Sequence, residues 1–140
     1  MNEMMGRLIK QANNKINHEM NVFAQQYDLT GTQMSIIDFL THFPGNSCDQ
    51  HQIESEFGIK RSTTTVLLQR MAKKGLITRD ISPSDHRQKV VALTTAGKEL
   101  VPIVSQYLKD YEARIKAAFS EDEITVIEQF LTSIIKGELG

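Results

Sequence analysis

A chain of 140 residues has room for one ordinary domain, and 40% hydrophobic with 24% charged residues is a globular balance rather than a disordered one. The absence of Trp and an aromatic content of 6% exclude a stacking platform for single-stranded nucleic acid, and a single Cys excludes an internal disulfide framework. The net charge of −1 hides an asymmetry: residues 59–98 carry nine Lys/Arg against two Asp/Glu, the remainder seven against fifteen. A basic middle in an acidic chain suits a phosphate backbone, because neutralised phosphates release counterions.

The first residues, MNEMMGRLIK, lack the apolar core of a signal peptide, and no run reaches the ~18 apolar residues of a membrane span. The expectation is a cytoplasmic chain with no membrane partner.

Met5, Leu8, Ile9, Ala12, Ile16, Met20, Phe23 and Tyr27 fall at three- and four-residue steps, which predicts a long helix with one apolar stripe over 5–27. Thr30 and Gln33 have the spacing of a capping box, with Leu29 and Met34 as its hydrophobic staple. The helix they open runs to about His42, where Pro44-Gly45 stops it. The same signature recurs at Asp49 and Gln52, stapled by Cys48 and Ile53, and Gly58 ends that short helix.

A second short helix comes next in RSTTTVLLQRMAKKG, with Val66 or Leu67, Leu68 and Met71 on its apolar face and Gly75 as its stop. Two short helices joined across Gly58-Ile59-Lys60 have the pattern of a helix-turn-helix, whose second helix offers its N-terminal residues to a major groove. Those residues are Lys60, Arg61, Ser62, Thr63, Thr64 and Thr65. Their cations, hydroxyls and methyls suit phosphates and base edges, and three consecutive threonines are otherwise a poor choice for a helix.

LITRDI and QKVVAL then read as two strands around the turn SPSDH, a wing carrying Arg79, Asp85, His86, Arg87 and Lys89. Thr94 caps a helix predicted over 95–118 with a kink near Pro102. Ser120 and Glu123 form a further capping box, and the last helix carries Ile124, Ile127, Phe130, Leu131, Ile134 and Ile135 before Gly137.

Asp85-x-Arg87, the strand after it and Leu93-Thr94-x-x-Gly97 come after a helix that ends Lys73-Lys74-Gly75-Leu76-Ile77. In this spacing the chain resembles the MarR family of winged helix-turn-helix transcription regulators over nearly its whole length. The resemblance implies a mainly α fold with a small β-wing in one MarR-type domain, 1–140. Its DNA-binding lobe would be 29–94, and its dimerisation helices 1–27 and 95–140. It further implies a homodimer on a pseudo-palindromic double-stranded DNA operator, acting as a repressor that a small amphipathic effector relieves. The apolar stripe of the first helix and the two apolar C-terminal helices agree, being too extended to bury their faces in one small lobe. The chain departs from the family pattern at Lys60, where Ser, Thr or Asp commonly caps the helix. It departs again at Thr64, where an aliphatic residue is usual, and at Val66, where a basic one is common.

The recognition-helix candidates are Lys60, Arg61, Ser62, Thr63 and Thr65, with Arg61 for guanine or phosphate; Arg70 and Lys73 suit the backbone. In the wing Arg87 resembles the family arginine that reaches the minor groove, flanked by Arg79, His86 and Lys89. Asp85 either orients Arg87 through a charge-assisted hydrogen bond or simply caps the turn. By analogy with the family, a candidate effector crevice draws on Ile16, Met20, Phe39, His42, Phe43 and Val101. Cys48 at a staple position reads as a buried structural thiol. Cys48, His51 and His42 form only a loose cluster, so neither a metal nor another cofactor is expected. No catalytic constellation is recognisable, so the chain is not expected to be an enzyme. The competing readings are a winged-helix protein-interaction module and a redox- or metal-responsive regulator of the same fold.

Overall fold

The structure, a computed structural model, describes residues 4–139. The chain divides into two compact units, Met1–Val104 and Ser105–Gly140. In the first unit, α1 spans Met5–Ala24 and tightens into a 3₁₀ turn over Gln25–Tyr27. Helix α2, Gly31–Leu40, starts at the expected capping box: the Thr30 hydroxyl accepts from the Gln33 N–H and the Gln33 side chain accepts from the Thr30 N–H, both at 3.1 Å. It stops before His42 because Thr41 is already its cap and its hydroxyl turns back to the Asp38 carbonyl.

The Asp49 N–H donates to Gln52 Oε1 at 3.0 Å at the start of α3, Gln50–Phe57. Gly58 then takes a left-handed φ of 60°, which a Cβ would oppose, and turns the chain into α4, Arg61–Lys73. The inner face of α4 differs from the expected one. Leu68 and Met71 are fully buried, but their partner one turn earlier is Thr64, while Val66 is 45% exposed. Thr64 is tolerated there because its hydroxyl donates to the Lys60 carbonyl at 2.9 Å, leaving only its methyl to pack.

Strands β2, Ile77–Ile81, and β3, Lys89–Leu93, form the expected wing. A third strand, β1, Ser47–Asp49, pairs antiparallel with β3 and sets Cys48 opposite Val91, so the sheet order is β1-β3-β2. Met34, Ile36, Ile37, Leu40, Ile53, Leu68, Met71 and Val91 are all fully buried. They tie α2, α3, α4 and the sheet into one core.

Thr94 fastens the end of β3 to the turn after α4. Its side chain accepts from the Gly97 N–H at 3.1 Å and donates to the Gly75 carbonyl, while its own N–H donates to the Leu76 carbonyl at 3.0 Å. A Cβ at Gly97 would collide with that same Leu76 oxygen. The Gly-Leu and Leu-Thr-x-x-Gly pieces of the motif therefore interlock for structural reasons.

The helix expected over 95–118 is two helices, α5, Thr95–Glu99, and α6, Val101–Ala118, broken at Leu100. Pro102 supplies no N–H for the Lys98 carbonyl and its ring crowds that carbonyl, so the interruption falls between Lys98 and the proline, at Leu100. The second unit holds the rest of α6 and α7, Glu121–Lys136, opened by the Ser120–Glu123 capping box and closed at Gly137. No described residue of 105–139 is buried.

Candidate nucleic-acid interface

Lys60 is the N-cap residue of α4 but supplies no side-chain cap; its contribution is a carbonyl that accepts from Thr64. Arg61, Ser62 and Thr63 are exposed on the first turn, and Arg70 and Lys73 on the later turns. Ser62, Thr63, Val66, Leu67 and Arg70 line a shallow outward-facing groove along the helix. Hydroxyls, methyls and one guanidinium thus share the open face of α4, a mixture able to meet both phosphates and base edges.

Arg61 also reaches the wing. Its Nη2 donates to the Arg87 carbonyl at 2.8 Å, linking the first residue of α4 to the wing tip across 26 positions of sequence. Arg87 in turn is held by Asp85, which accepts at Oδ1 from the Arg87 N–H at 3.1 Å and from Nε at 3.2 Å. The Arg87 hydrogen bonds keep the Asp85 carboxyl below its usual range, so it is an anion at neutral pH. Of the two roles open to Asp85, the geometry shows both: it closes the turn on the Arg87 N–H and aims the guanidinium. The Arg87 side chain remains 89% exposed. His86 beside it is exposed, and Lys89 is half-buried at the start of β3.

Thr65 and Arg79 are placed differently. Both are half-buried and meet at Gln50, a side chain for which sequence reasoning found no role. Gln50 is 3% exposed; its Nε2 donates to Thr65 Oγ1 at 2.9 Å and to Glu54 Oε2 at 3.1 Å, and its Oε1 accepts from Arg79 Nε at 2.8 Å. One amide therefore joins α3, α4 and β2. A glutamine in a helical first turn carries no local signal of this, because the partners lie 15 and 29 residues away.

The far end of α4 is fixed as well. Lys74 Nζ donates to the Asp28 carbonyl and lies 3.7 Å from its carboxylate.

Of the effector candidates, Met20 lines a cleft of about 460 Å³ bounded by α1, the start of α2, the end of α3 and the turn before α4. Phe39 and Phe43 instead pack edge to face at 5.0 Å, with Phe57 5.7 Å from Phe39 and His42 beside them. Ile16 is half-buried on α1, and Val101 is the first residue of α6. Burial, with a smaller effect from the Asp49 carboxylate, raises the Cys48 thiol from 9.0 to about 11. His42, Cys48 and His51 do not converge: among the described residues no three His, Cys, Asp or Glu side chains come together to hold a metal. Nor is any described helix long and apolar enough to cross a membrane.

Comparison with known proteins places these features in one group. Residues 27–88 match the model of the MarR family. The transcription regulator MarR from Oenococcus oeni PSU-1 is 40% identical in sequence, with a TM-score of 0.80 over 95% of this chain and 99% of that one. The multiple antibiotic resistance protein MarR of Escherichia coli K12 is 24% identical over 94% of this chain and 90% of its own length. The fold also matches MepR of S. aureus, solved as a DNA complex, with a TM-score of 0.88 at 22% identity over 96% of this chain and 98% of that one. The chain belongs to the MarR family of transcription regulators.

Proposed function

We propose that this chain binds double-stranded DNA sequence-specifically, as a homodimer on a pseudo-palindromic operator, and represses transcription in the cytoplasm until a small effector relieves it. The observation that carries the reading is the Arg61–Arg87 bond inside the basic segment, which makes the first turn of α4 and the wing tip one contact surface. Arg61, Ser62 and Thr63 take the major groove, with Lys60, Arg70 and Lys73 on flanking phosphates. Arg87, aided by His86 and Lys89, takes the wing's phosphates or minor groove. Thr65 and Arg79 hold these groups in position through Gln50.

Dimerisation through 1–27 and 95–140 is supported by apolar surface: Met5 is 58% exposed on α1, and Val126 and Ile135 are 62% and 83% exposed on α7. Such surface belongs against a partner. DNA binding is supported by the DNA complex of MepR, and repression by the homoprotocatechuate degradative operon repressor of Escherichia coli, 26% identical over 79% of this chain.

A protection footprint on the DNA upstream of the chain's own coding sequence tests the proposal. Two protected half-sites about one helical turn apart are expected. Uniform cleavage at every protein concentration would overturn it.

A further inference from the structure

Three asparagines at four-residue steps, Asn13, Asn17 and Asn21, line one side of the cleft beside Met20. Asparagine is a mediocre helix former, and three stacked on one face cost α1 stability without contributing to its apolar stripe. The Asn21 carbonyl oxygen is occupied, accepting from the Gly31 N–H at 2.7 Å, and this fixes α1 to the first residue of α2. The side chains of Asn13 and Asn17 have no partner among the described residues, and the Asn21 amide donors are likewise unspent. Across the cleft stand Glu56, Phe57 and Ile59. Glu56 is its only charged lining residue and has no cation partner among the described residues.

We propose that this cleft is an effector site for a small organic cation that also carries hydrogen-bonding groups. At about 460 Å³ it has the size of a small-molecule site. The Glu56 carboxylate pairs with an ammonium group, the asparagine amides take hydroxyl or carbonyl groups, and Phe57 offers an aromatic wall that suits a cation. An anion of the same shape would meet the carboxylate with no lining cation to offset it.

The site also has a route to DNA. Glu56, Phe57 and Ile59 bracket Gly58, the left-handed residue of the helix-turn-helix turn, and Ile59 stands two residues before Arg61. A ligand bridging Glu56 and the asparagine ladder ties α1 to that turn. It therefore favours one setting of α4, by as much as its affinities for the alternative settings differ. Only this consequence rests on the reading of the chain as a DNA-binding regulator; occupancy of the cleft does not.

The test uses the full-length protein and three probes of nearly one shape: tyramine (a cation), tyrosol (neutral) and 4-hydroxyphenylacetate (an anion). Titration followed by NMR should shift the side-chain amide signals of Asn13, Asn17 and Asn21, with tyramine binding tightest and 4-hydroxyphenylacetate weakest. Glu56→Gln should weaken tyramine by about fivefold and leave tyrosol unchanged. Equal affinities for the three probes, an unchanged tyramine affinity in Glu56→Gln, or amide signals that do not move would overturn the site. Saturating tyramine should lower affinity for the upstream DNA. Binding at the cleft with no change in DNA affinity would overturn the coupling, whereas a protein that takes tyramine but never binds DNA would refute only the proposed function.

Discussion

Arg61 and Arg87 are joined side chain to backbone, guanidinium to carbonyl at 2.8 Å, so the recognition helix and the wing tip share a hydrogen bond before any DNA arrives. Because the acceptor is a main-chain oxygen, this bond takes up none of the Arg87 guanidinium, which is paired with Asp85 and otherwise open to solvent. Asp85 sets its direction.

Replacing Asp85 by Asn separates two roles. If the carboxylate mainly repels phosphate, Asp85→Asn should tighten DNA binding. If it aims Arg87, binding should weaken by about two- to fivefold, which is the outcome expected here. Arg87→Ala should weaken it more and flatten the salt dependence by about one unit of slope. The Arg87 bonds lower the folded-state pKa of Asp85, so the pair is fully present above the usual carboxylate range and is lost only as pH falls through that lowered value. Affinity measured from neutral pH down to the usual carboxylate range should therefore show no step that Asp85→Asn removes.

Gln50→Ala leaves Arg79 Nε and the Thr65 hydroxyl without their buried partner. Chemical denaturation should show a loss of about 1–3 kcal/mol. A double-mutant cycle with Arg79→Ala should give a coupling of at least about 0.5 kcal/mol. Strict additivity would reduce Gln50 to an incidental contact.

Gly97→Ala forces a methyl group into the Leu76 carbonyl. Overpacking against backbone that cannot rotate away should cost about 2 kcal/mol or more and lower the melting temperature by roughly 5 °C. Below the melting transition DNA affinity should be unchanged, because Gly97 belongs to the joint between β3 and α5 and not to the contact face. An unaltered melting temperature would show that the joint relaxes.

Cys48 should behave as an inert thiol at neutral pH: slow to alkylate in the folded protein, and with peroxide leaving DNA binding intact. Its folded-state pKa is raised, so its contribution to stability is complete below the unfolded value near 9.0 and is lost as pH rises to about 11. Comparing wild type with Cys48→Ala over that range isolates the effect from the lysines and tyrosines that titrate nearby. A parallel pH dependence in the two proteins would contradict the assignment.

How much of the fold is legible in the sequence depends on how local each signal is. Capping boxes at Thr30, Asp49 and Ser120, with stops at Gly58, Gly75 and Gly137, mark the helix ends because cap and partner lie within one turn. The wing strands are readable from two β-rich runs around a proline turn. Strand β1 is not, since three residues carry no period and its partner Val91 is 43 positions beyond Cys48. Burial of Thr64 also escapes, because a threonine whose hydroxyl bonds backward packs as an apolar residue. Among the site residues, Arg61, Arg87 and Asp85 emerge from the motif and the charge pattern, but the bond joining Arg61 to the wing does not. The Gln50 node depends on contacts between distant segments and leaves no trace in spacing, and the four-residue steps of Asn13, Asn17 and Asn21 do not by themselves show the residues 56–59 that face them.

DNA recognition itself is tested most directly by equilibrium affinity for a duplex from the upstream region and for a scrambled duplex, measured from low to physiological salt and above. Salt-sensitive binding to both is expected, with the upstream duplex tighter at every salt concentration and Arg61→Ala narrowing that margin. No salt-sensitive binding at physiological ionic strength, or equal affinity for the two duplexes, would contradict sequence-specific recognition through α4 and the wing.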